Sequence, residues 1–220
     1  MKRIHTAPRY RGSWRHQRLL LLYWPLYLVM FFFVERFYPV EHYHVMHCAL
    51  DDMIPFNEFF LIPYLFWFVF LAGMVVYTLW REPAAFTRMM RFIILTYTTA
   101  IVIYLLFPTC QELRPVVFER DNVFTRFLFY FYQFDTNTNV CPSVHVIGSF
   151  AVVFAAWDTE RFSTPMWKAV YLLIALLICV STLFLKQHSI LDMLAAIPIC
   201  VIGYILVYRT KHQKRGFLYG

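Results

Sequence analysis

Apolar residues are concentrated in six runs along the chain, and short polar stretches separate the runs. A helix needs about 20 apolar residues to cross a bilayer, with roughly 17 to 25 observed. The first and fourth runs are short, so their helices must extend into flanking polar residues. The runs cover residues 19–34, 59–80, 92–109, 143–157, 169–185 and 189–208. This pattern predicts an all-α fold, a six-span transmembrane helical bundle.

The stretch at 116–134, "VVFERDNVFTRFLFYFYQF", is too charged to span a membrane. It mixes aromatic residues with Glu119, Arg120, Asp121 and Arg126. We predict an interfacial amphipathic helix between spans 3 and 4. The alternative, a further span, would invert the topology of everything downstream.

Composition and charge agree with a membrane protein. Of the 220 residues, 60% are hydrophobic and only 15% are charged, whereas an ordinary soluble domain is about half apolar and a quarter charged. The net charge of +7 sits mainly in two basic tails, 1–18 and 209–220, which flank a membrane domain at 19–208. Basic flanks of membrane segments usually set orientation, so we expect no nucleic-acid partner.

The distribution of basic residues predicts the orientation. With six spans, the side that holds both termini carries fifteen of the twenty lysines and arginines. By the positive-inside rule both termini are cytoplasmic, in an integral plasma (inner) membrane. The periplasmic, extracellular or lumenal side then receives residues 35–58 and 110–142 and the "KQH" turn. The N-terminal apolar run is predicted to be a retained span and not a cleaved signal, because no small-residue cleavage site follows it.

Two polar clusters interrupt the apolar pattern at the outer ends of spans. Ser143 and His145, in "CPSVH", begin the fourth span, where the free N–H groups of a helix N-terminus attract anions such as phosphate. His188 and Asp192 begin the sixth span four residues apart, which places them on one helical face. Asp192 can then accept a hydrogen bond from one ring nitrogen of His188 and leave the other as a free lone pair. A capped helix and a self-satisfied His–Asp pair are the structural alternatives.

The predicted topology gathers these residues with two cations, Arg114 in "CQELRP" and Lys186 in "KQH". Cations and a helix N-terminus bind phosphate, a His–Asp pair can attack it, and a second histidine can protonate the leaving group. These are the parts that phosphoryl transfer requires.

The ordered set "RP", "PSVH" and "H-x-x-x-D" resembles the type 2 phosphatidic acid phosphatase superfamily, over about residues 100 to 195. The resemblance implies a catalytic set in which His188 is the nucleophile that forms a phosphohistidine, Asp192 orients it, and His145 is the general acid and then base. It implies that Arg114 and Ser143 hold the phosphate oxygens, and that no metal or other cofactor is needed.

Two positions depart from the family pattern. The usual lysine seven residues before Arg114 is Phe107, and the usual arginine six residues before His188 is Thr182. Lys186 is a candidate replacement for one of the missing cations. This pattern is nearer to the synthase-like branch, which includes the inositol phosphorylceramide and sphingomyelin synthases, than to the ordinary phosphatases.

The remaining polar segments leave alternatives open. The loop at 41–52 holds His42, His44, His47, Asp51 and Asp52, which suits either a zinc site or a solvated loop or substrate lid. Gln111, together with Asp135 and Asn139 of "DTNTN", is a candidate for head-group contacts, although a turn explains "DTNTN" as well.

Five cysteines complete the inventory of reactive groups. Cys110 and Cys141 flank the predicted site on the outer face, where they can form a disulfide or remain free thiols.

Together these features predict a membrane lipid phosphatase acting on a phosphomonoester or pyrophosphate of a phospholipid or polyprenyl lipid at the outer leaflet. One alternative is a lipid phosphotransferase, and another is a non-catalytic lipid-binding protein. A transporter is less favoured, because apart from Asp192 the spans carry almost no polar residues deep in the membrane. The substrate arrives laterally from the bilayer, and the sequence gives neither the lipid nor the oligomeric state.

Overall fold

The computed structural model describes residues 14–209, and most of these are helical. The predicted tails lie largely outside this range, at residues 1–13 and 210–220. In chain order the helices are α1 (Trp14–Leu21), α2 (Tyr23–Arg36), α3 (Ala49–Met53), a 3₁₀ turn (Glu58–Phe60), α4 (Leu61–Arg81), α5 (Pro83–Leu106), α6 (Val123–Phe134), α7 (Val144–Asp158), α8 (Pro165–Phe184) and α9 (Ile190–Tyr204), which continues as a π-helical turn (Ile205–Arg209).

Within residues 14–209, five helical segments are long and apolar enough to cross a membrane, so the chain is a multi-pass membrane protein. They are Leu19–Arg36, Glu58–Arg81, Pro83–Leu106, Pro165–Phe184 and Ile190–Arg209. The predicted fourth span, α7, is apolar but has only 15 residues. The six-span count therefore stays a prediction that depends on α7.

Helix α7 lies at the centre of the bundle and packs against α4, α5, α8 and α9. Its small residues Gly148, Ala151, Ala155 and Ala156 are all buried. Small side chains let helices approach closely, which is the main source of packing energy where lipid removes the hydrophobic driving force. The position of α7 brings its first turn next to the first turn of α9.

The third apolar helix differs from its predicted bounds at both ends. It begins at Pro83 instead of residue 92, so that only Glu82 separates α4 from α5. Proline suits the first turn of a helix because its missing N–H has no helical partner there. The charged residue Arg88, which had indicated a loop, pairs with Asp158 at the end of α7.

Two short strands modify the all-α prediction. The third predicted span was to reach residue 109, but α5 ends at Leu106, and the strand β2 (Thr109–Cys110) pairs in parallel with β1 (His44–Val45). Cys110 also forms an antiparallel bridge with Thr138. These pairings tie together three loops, which connect α2 to α3, α5 to α6 and α6 to α7.

Only residues Val123–Phe134 of the charged aromatic segment form a helix, α6. Asn122 caps it by accepting hydrogen bonds from the amides of Phe124 and Thr125. Leu128 is buried, while Tyr130 and Phe134 are strongly exposed. An apolar exposed face fits the interfacial location, which stays a prediction.

Candidate active site

The connection between α8 and α9 holds His188 and Asp192 in contact. Ser189 is the N-cap of α9, and its amide donates to Asp192 Oδ2 at 2.9 Å. The same carboxylate oxygen lies 3.1 Å from His188 Nδ1. Because an ionised carboxylate only accepts hydrogen bonds, Nδ1 carries the proton and Nε2 of a neutral ring carries the lone pair.

His145, in the first turn of α7, faces that lone pair. His188 Nε2 lies 3.4 Å from His145 Nδ1. The Ser143 amide donates to the Asp192 carbonyl at 3.1 Å, which joins the two helix starts directly. The structure therefore brings together Ser143, His145, His188 and Asp192.

Two aromatic residues of α4 enclose the His145 ring. The ring centroids of Tyr64 and Trp67 lie 4.6 and 4.5 Å from that of His145. Trp67 Nε1 also donates to the His145 carbonyl at 3.1 Å. These two rings and the hydrogen bond from Trp67 hold the His145 ring in place beside His188.

Four polar side-chain atoms around the histidines are buried and find no hydrogen-bond partner among the described residues. They are Ser143 Oγ, His145 Nε2, Gln187 Nε2 and Asp192 Oδ1. Buried polar groups are nearly always paired, so each such group requires an explanation. The oxygens of a bound phosphate would satisfy the two donors, Ser143 and Gln187.

Arg114 is held mainly by backbone carbonyl groups. One terminal nitrogen donates to Tyr132 O at 3.0 Å, and the other donates to Asp135 O and Thr136 O, each at 2.7 Å, and also to Gln187 Oε1. Its guanidinium carbon lies 4.4 Å from the centroid of the Tyr132 ring. Arg114 thus fastens the end of α6 to the residue that precedes His188, and its Nε atom is buried without a partner among residues 14–209.

Lys186 and Gln111 also make contacts within the protein. Lys186 has a left-handed backbone (φ 54°), and its ammonium donates to the Asp51 carbonyl at 2.7 Å. Burial lowers the pKa of Lys186, while the carboxylates of Asp51 and Asp52 oppose that shift. The side-chain amide of Gln111 donates to the Lys186 carbonyl at 2.8 Å, so it stabilises the loop that bears His188.

The two candidate head-group residues of "DTNTN" are bound to other parts of the protein. Asp135 Oδ2 accepts a hydrogen bond from the Tyr64 hydroxyl at 2.6 Å. Asn139 Nδ2 donates to Glu35 Oε2 at 3.3 Å, and Glu35 also accepts from Thr136 and Thr138. In the structure these two side chains therefore bind Tyr64 and Glu35 within the protein.

The two positions that depart from the family pattern support the site without supplying charge. The Phe107 ring stacks on His44, with centroids 4.1 Å apart. The Thr182 carbonyl accepts hydrogen bonds from the amides of Gln187 and His188, at 2.9 and 3.3 Å. Thr182 therefore shapes the turn that carries the proposed nucleophile.

The histidine-rich loop at 41–52 disperses its polar groups. His47 pairs with Asp52 at 2.8 Å, His44 stacks on Phe107, and Asp51 turns inward. Within residues 14–209, no group of three or more His, Cys, Asp or Glu residues is placed to hold a metal ion.

Both cysteines beside the site are buried free thiols, so the disulfide alternative for Cys110 and Cys141 is wrong in this structure. Burial raises the pKa of Cys141 to about 12, and Asp192 adds to that shift. Such a thiol stays protonated at neutral pH and is a poor nucleophile.

Sequence reasoning missed Gln187, Tyr64 and Glu35, and it assigned Asp51 to a zinc site or a loop instead of to the turn that bears His188. Asp51 is only 2% exposed and contacts Ser189, which is 138 residues away along the chain. No local pattern marks such a pairing. Gln187 could have been predicted from the sequence, because it lies between Lys186 and His188.

The site is closed to solvent. His145 and His188 are each 7% exposed, and Ser143 and Asp192 are fully buried. A lipid phosphate can therefore reach His188 only if a covering segment or the histidine pair itself moves.

The family of the chain follows from its sequence as well as from this geometry. The PAP2 superfamily model matches residues 88–216, more than half of the chain and all of the site except its α4 and loop contacts. The protein belongs to the PAP2 superfamily, the type 2 phosphatidic acid phosphatases and their relatives. Members are phosphatases or phosphotransferases, which supports an enzyme of this kind. No curated protein and no solved structure matches the chain.

Proposed function

We propose that the protein transfers the phosphoryl group of a membrane lipid through a covalent intermediate on His188. The observation that carries this proposal is the paired state of the His188 ring, with Nδ1 on Asp192 and Nε2 facing His145. A histidine oriented by a carboxylate and adjacent to a proton donor is an activated nucleophile.

In the first step His188 Nε2 attacks phosphorus and the bond between phosphorus and the lipid oxygen breaks. His145 starts this step as a protonated imidazolium, gives one proton to the leaving oxygen and becomes neutral. The phosphorylated imidazole keeps its proton on Nδ1 and is positively charged, and the Asp192 carboxylate stabilises it. In the second step His145 takes the proton of the acceptor hydroxyl, whose oxygen attacks phosphorus and releases His188.

The phosphate oxygens need donors that are not already committed. Ser143 Oγ, Gln187 Nε2 and Arg114 Nε are the buried unpartnered donors that support this role. Donors fixed in place before the reaction stabilise developing charge without reorganisation, which is the largest contribution in many enzymes.

The preferred reaction is hydrolysis of a phosphomonoester or pyrophosphate of a phospholipid or polyprenyl lipid. The site would face the outer leaflet, on the periplasmic, extracellular or lumenal side, with both termini cytoplasmic. The substrate would enter from the bilayer beside α6, whose exposed face is rich in aromatic side chains.

A second candidate is transfer of a phospho-head group between lipids. The low exposure of both histidines favours it, because a site closed to water spares the intermediate for a lipid hydroxyl. The commitment of Arg114 to carbonyls and of Lys186 to Asp51 also favours it, because a phosphodiester carries less charge than a phosphomonoester and needs fewer cations.

The test is phosphate release by purified protein in detergent without added metal. Phosphatidic acid, phosphatidylglycerophosphate and undecaprenyl pyrophosphate are offered in turn to wild type, His188→Ala and a control, His42→Ala, whose histidine is exposed. Release that vanishes only in His188→Ala supports the phosphatase. Without release, a phospholipid donor with diacylglycerol or ceramide as acceptor tests for transfer. A wild type equal to His188→Ala in both assays leaves a non-catalytic lipid-binding protein.

A further inference from the structure

The loop at 41–52 sends one carboxylate, that of Asp51, into the turn that bears His188. Asp51 is 2% exposed, although its neighbour Asp52 lies on the surface and pairs with His47. Burying a carboxylate is costly unless hydrogen bonds compensate for the loss of water. Its partners therefore indicate what the burial achieves.

Both oxygens of the Asp51 carboxylate bind the start of α9. Oδ2 accepts from the Ser189 hydroxyl at 2.6 Å, and Oδ1 accepts from the Ile190 amide at 2.9 Å. Ser189 and Ile190 are the two residues that directly follow His188.

The backbone carbonyl of Asp51 binds Lys186, which lies on the other side of His188. Its carbonyl accepts from the Lys186 ammonium at 2.7 Å, and its Oδ2 also accepts from the Cys48 amide at 2.9 Å. Asp51 therefore accepts hydrogen bonds from residues both before and after His188. The bond from the Cys48 amide holds the carboxylate within its own loop.

The hydrogen bonds of Asp51 also affect the pKa of its carboxyl group. Burial alone would raise the pKa of the carboxyl group, but the hydrogen bonds from Ser189, Ile190 and Cys48 outweigh it and hold the pKa below its usual value. Asp51 is thus an anion at neutral pH, and charge-assisted hydrogen bonds to an anion are the stronger kind.

We propose that Asp51 is a positioning residue for catalysis, which acts by fixing the turn that aims His188 at the phosphorus. The proposal rests on the function proposed above, in which His188 is the nucleophile. Asp51 lies outside residues 88–216, the part of the chain that matches the superfamily, so this support for the nucleophile comes from a loop outside the matched region. Displacing a nucleophile by about 1 Å costs on the order of a hundredfold in rate.

The experiment is a single-turnover measurement of the phosphorylated enzyme with radiolabelled phosphatidic acid, stopped with alkaline detergent to preserve phosphohistidine. It compares wild type with Asp51→Asn, which keeps the size of the side chain but loses its charge and one acceptor. The matched control is Asp52→Asn, one residue further along the same loop. The amplitude of labelling counts competent molecules, and the rate constant reports how well His188 is aimed.

We expect Asp51→Asn to label to the wild-type amplitude with a rate constant lowered about 10- to 100-fold, and Asp52→Asn to label like wild type. A rate constant for Asp51→Asn within twofold of that of Asp52→Asn overturns the proposal, as does a lowered amplitude with an unchanged rate, which is the signature of a merely structural role. If Asp51→Asn does not fold, Ser189→Ala removes the hydroxyl partner instead, and the same rate criterion applies to it.

The proposed function and this inference fail in different ways. A wild type that labels no more than His188→Ala contradicts the proposed function. A wild type that labels normally, with Asp51→Asn equal to it in rate, contradicts only the role of Asp51.

Discussion

His188 Nε2 lies 3.4 Å from His145 Nδ1, so the two proposed catalytic histidines face each other in direct contact. During attack the nucleophile approaches phosphorus to about 3 Å, and the leaving oxygen needs a further hydrogen-bond distance of about 2.6–3.2 Å to its acid. The phosphorus and the leaving oxygen do not fit between atoms 3.4 Å apart. The proposed mechanism, with Nδ1 of His145 as the acid, therefore requires the two histidine rings to separate when the substrate binds.

Replacing Asp192 tests the orientation of the nucleophile. Asp192→Asn keeps the shape of the side chain but removes the carboxylate that holds Nδ1–H of His188 and stabilises the positive phosphoimidazole. We expect kcat to fall about 100-fold or more, with folded protein still recovered. Steady-state kinetics on phosphatidic acid measure the effect. An Asp192→Asn enzyme within threefold of wild type would remove Asp192 from the mechanism.

Replacing His145 separates acid catalysis from nucleophilic attack. With a lipid substrate we expect His145→Ala to lose about 10²–10⁴-fold in rate, because the lipid alkoxide leaves poorly without a proton. A para-nitrophenyl phosphate ester, whose phenolate leaves unaided, should lose far less in the labelling step. Equal losses on the two substrates would contradict the assignment of His145 as the general acid.

Gly148 tests the close approach of α7 to its neighbours. A Cβ atom at this position would lie 2.6 Å from the Tyr97 hydroxyl and 2.8 Å from Trp67 Cζ2, closer than real contacts allow. We expect Gly148→Ala to lower stability by about 1–3 kcal/mol, as overpacking does, and to disturb the Trp67 bond to the His145 carbonyl. Thermal unfolding in detergent measures the change.

The matched control is Gly73→Ala in α4, where a new Cβ atom meets nothing within 4 Å. We expect this variant to unfold at or slightly above the wild-type temperature, since alanine has the better helix propensity. Equal destabilisation by the two substitutions would mean that the packing around Gly148 is not the cause.

The hydrogen bonds to Asp51 predict that the stability of the folded protein depends on pH. Its pKa is lower in the folded protein than in the unfolded chain, so the unfolded state binds the proton more readily. The resulting stabilisation is present above the unfolded value of 3.8 and disappears as pH falls through the folded pKa. The unfolding temperature of wild type should therefore fall as pH drops below about 5. The unfolding temperature of Asp51→Asn should depend less steeply on pH. Parallel curves would show that Asp51 does not contribute.

The part of the site that the sequence predicted consists of local relationships and of helix ends that share a membrane depth. The contact between His188 and Asp192 follows from their spacing of four, and the proximity of Ser143 agrees with the predicted start of two helices at one end of the bundle. The apolar run predicts a helix start at residue 92, whereas α5 begins at Pro83, because a helix can carry the charged residues Arg88 and Arg91 before its apolar part.

The remainder depends on backbone paths that no periodicity encodes. The phosphate contact of Arg114 stays a prediction, but the sequence did not show that its terminal nitrogens bind the carbonyls of Tyr132 and Asp135 at the end of α6. Asp51 contacts Ser189 from a loop that also pairs with β2, 138 residues before Ser189 in the chain. Such pairings between distant residues are visible only in the folded molecule.

The central claim is that phosphorus becomes covalently bound to His188. The most direct measurement is to mix wild-type protein with a phospholipid labelled at phosphorus, stop the reaction with alkaline detergent, and map the labelled peptide. The account predicts an alkali-stable, acid-labile label on the peptide that contains His188, absent from His188→Ala and retained in His42→Ala. Turnover of the lipid without any label on that peptide, or with undiminished turnover in His188→Ala, would contradict it.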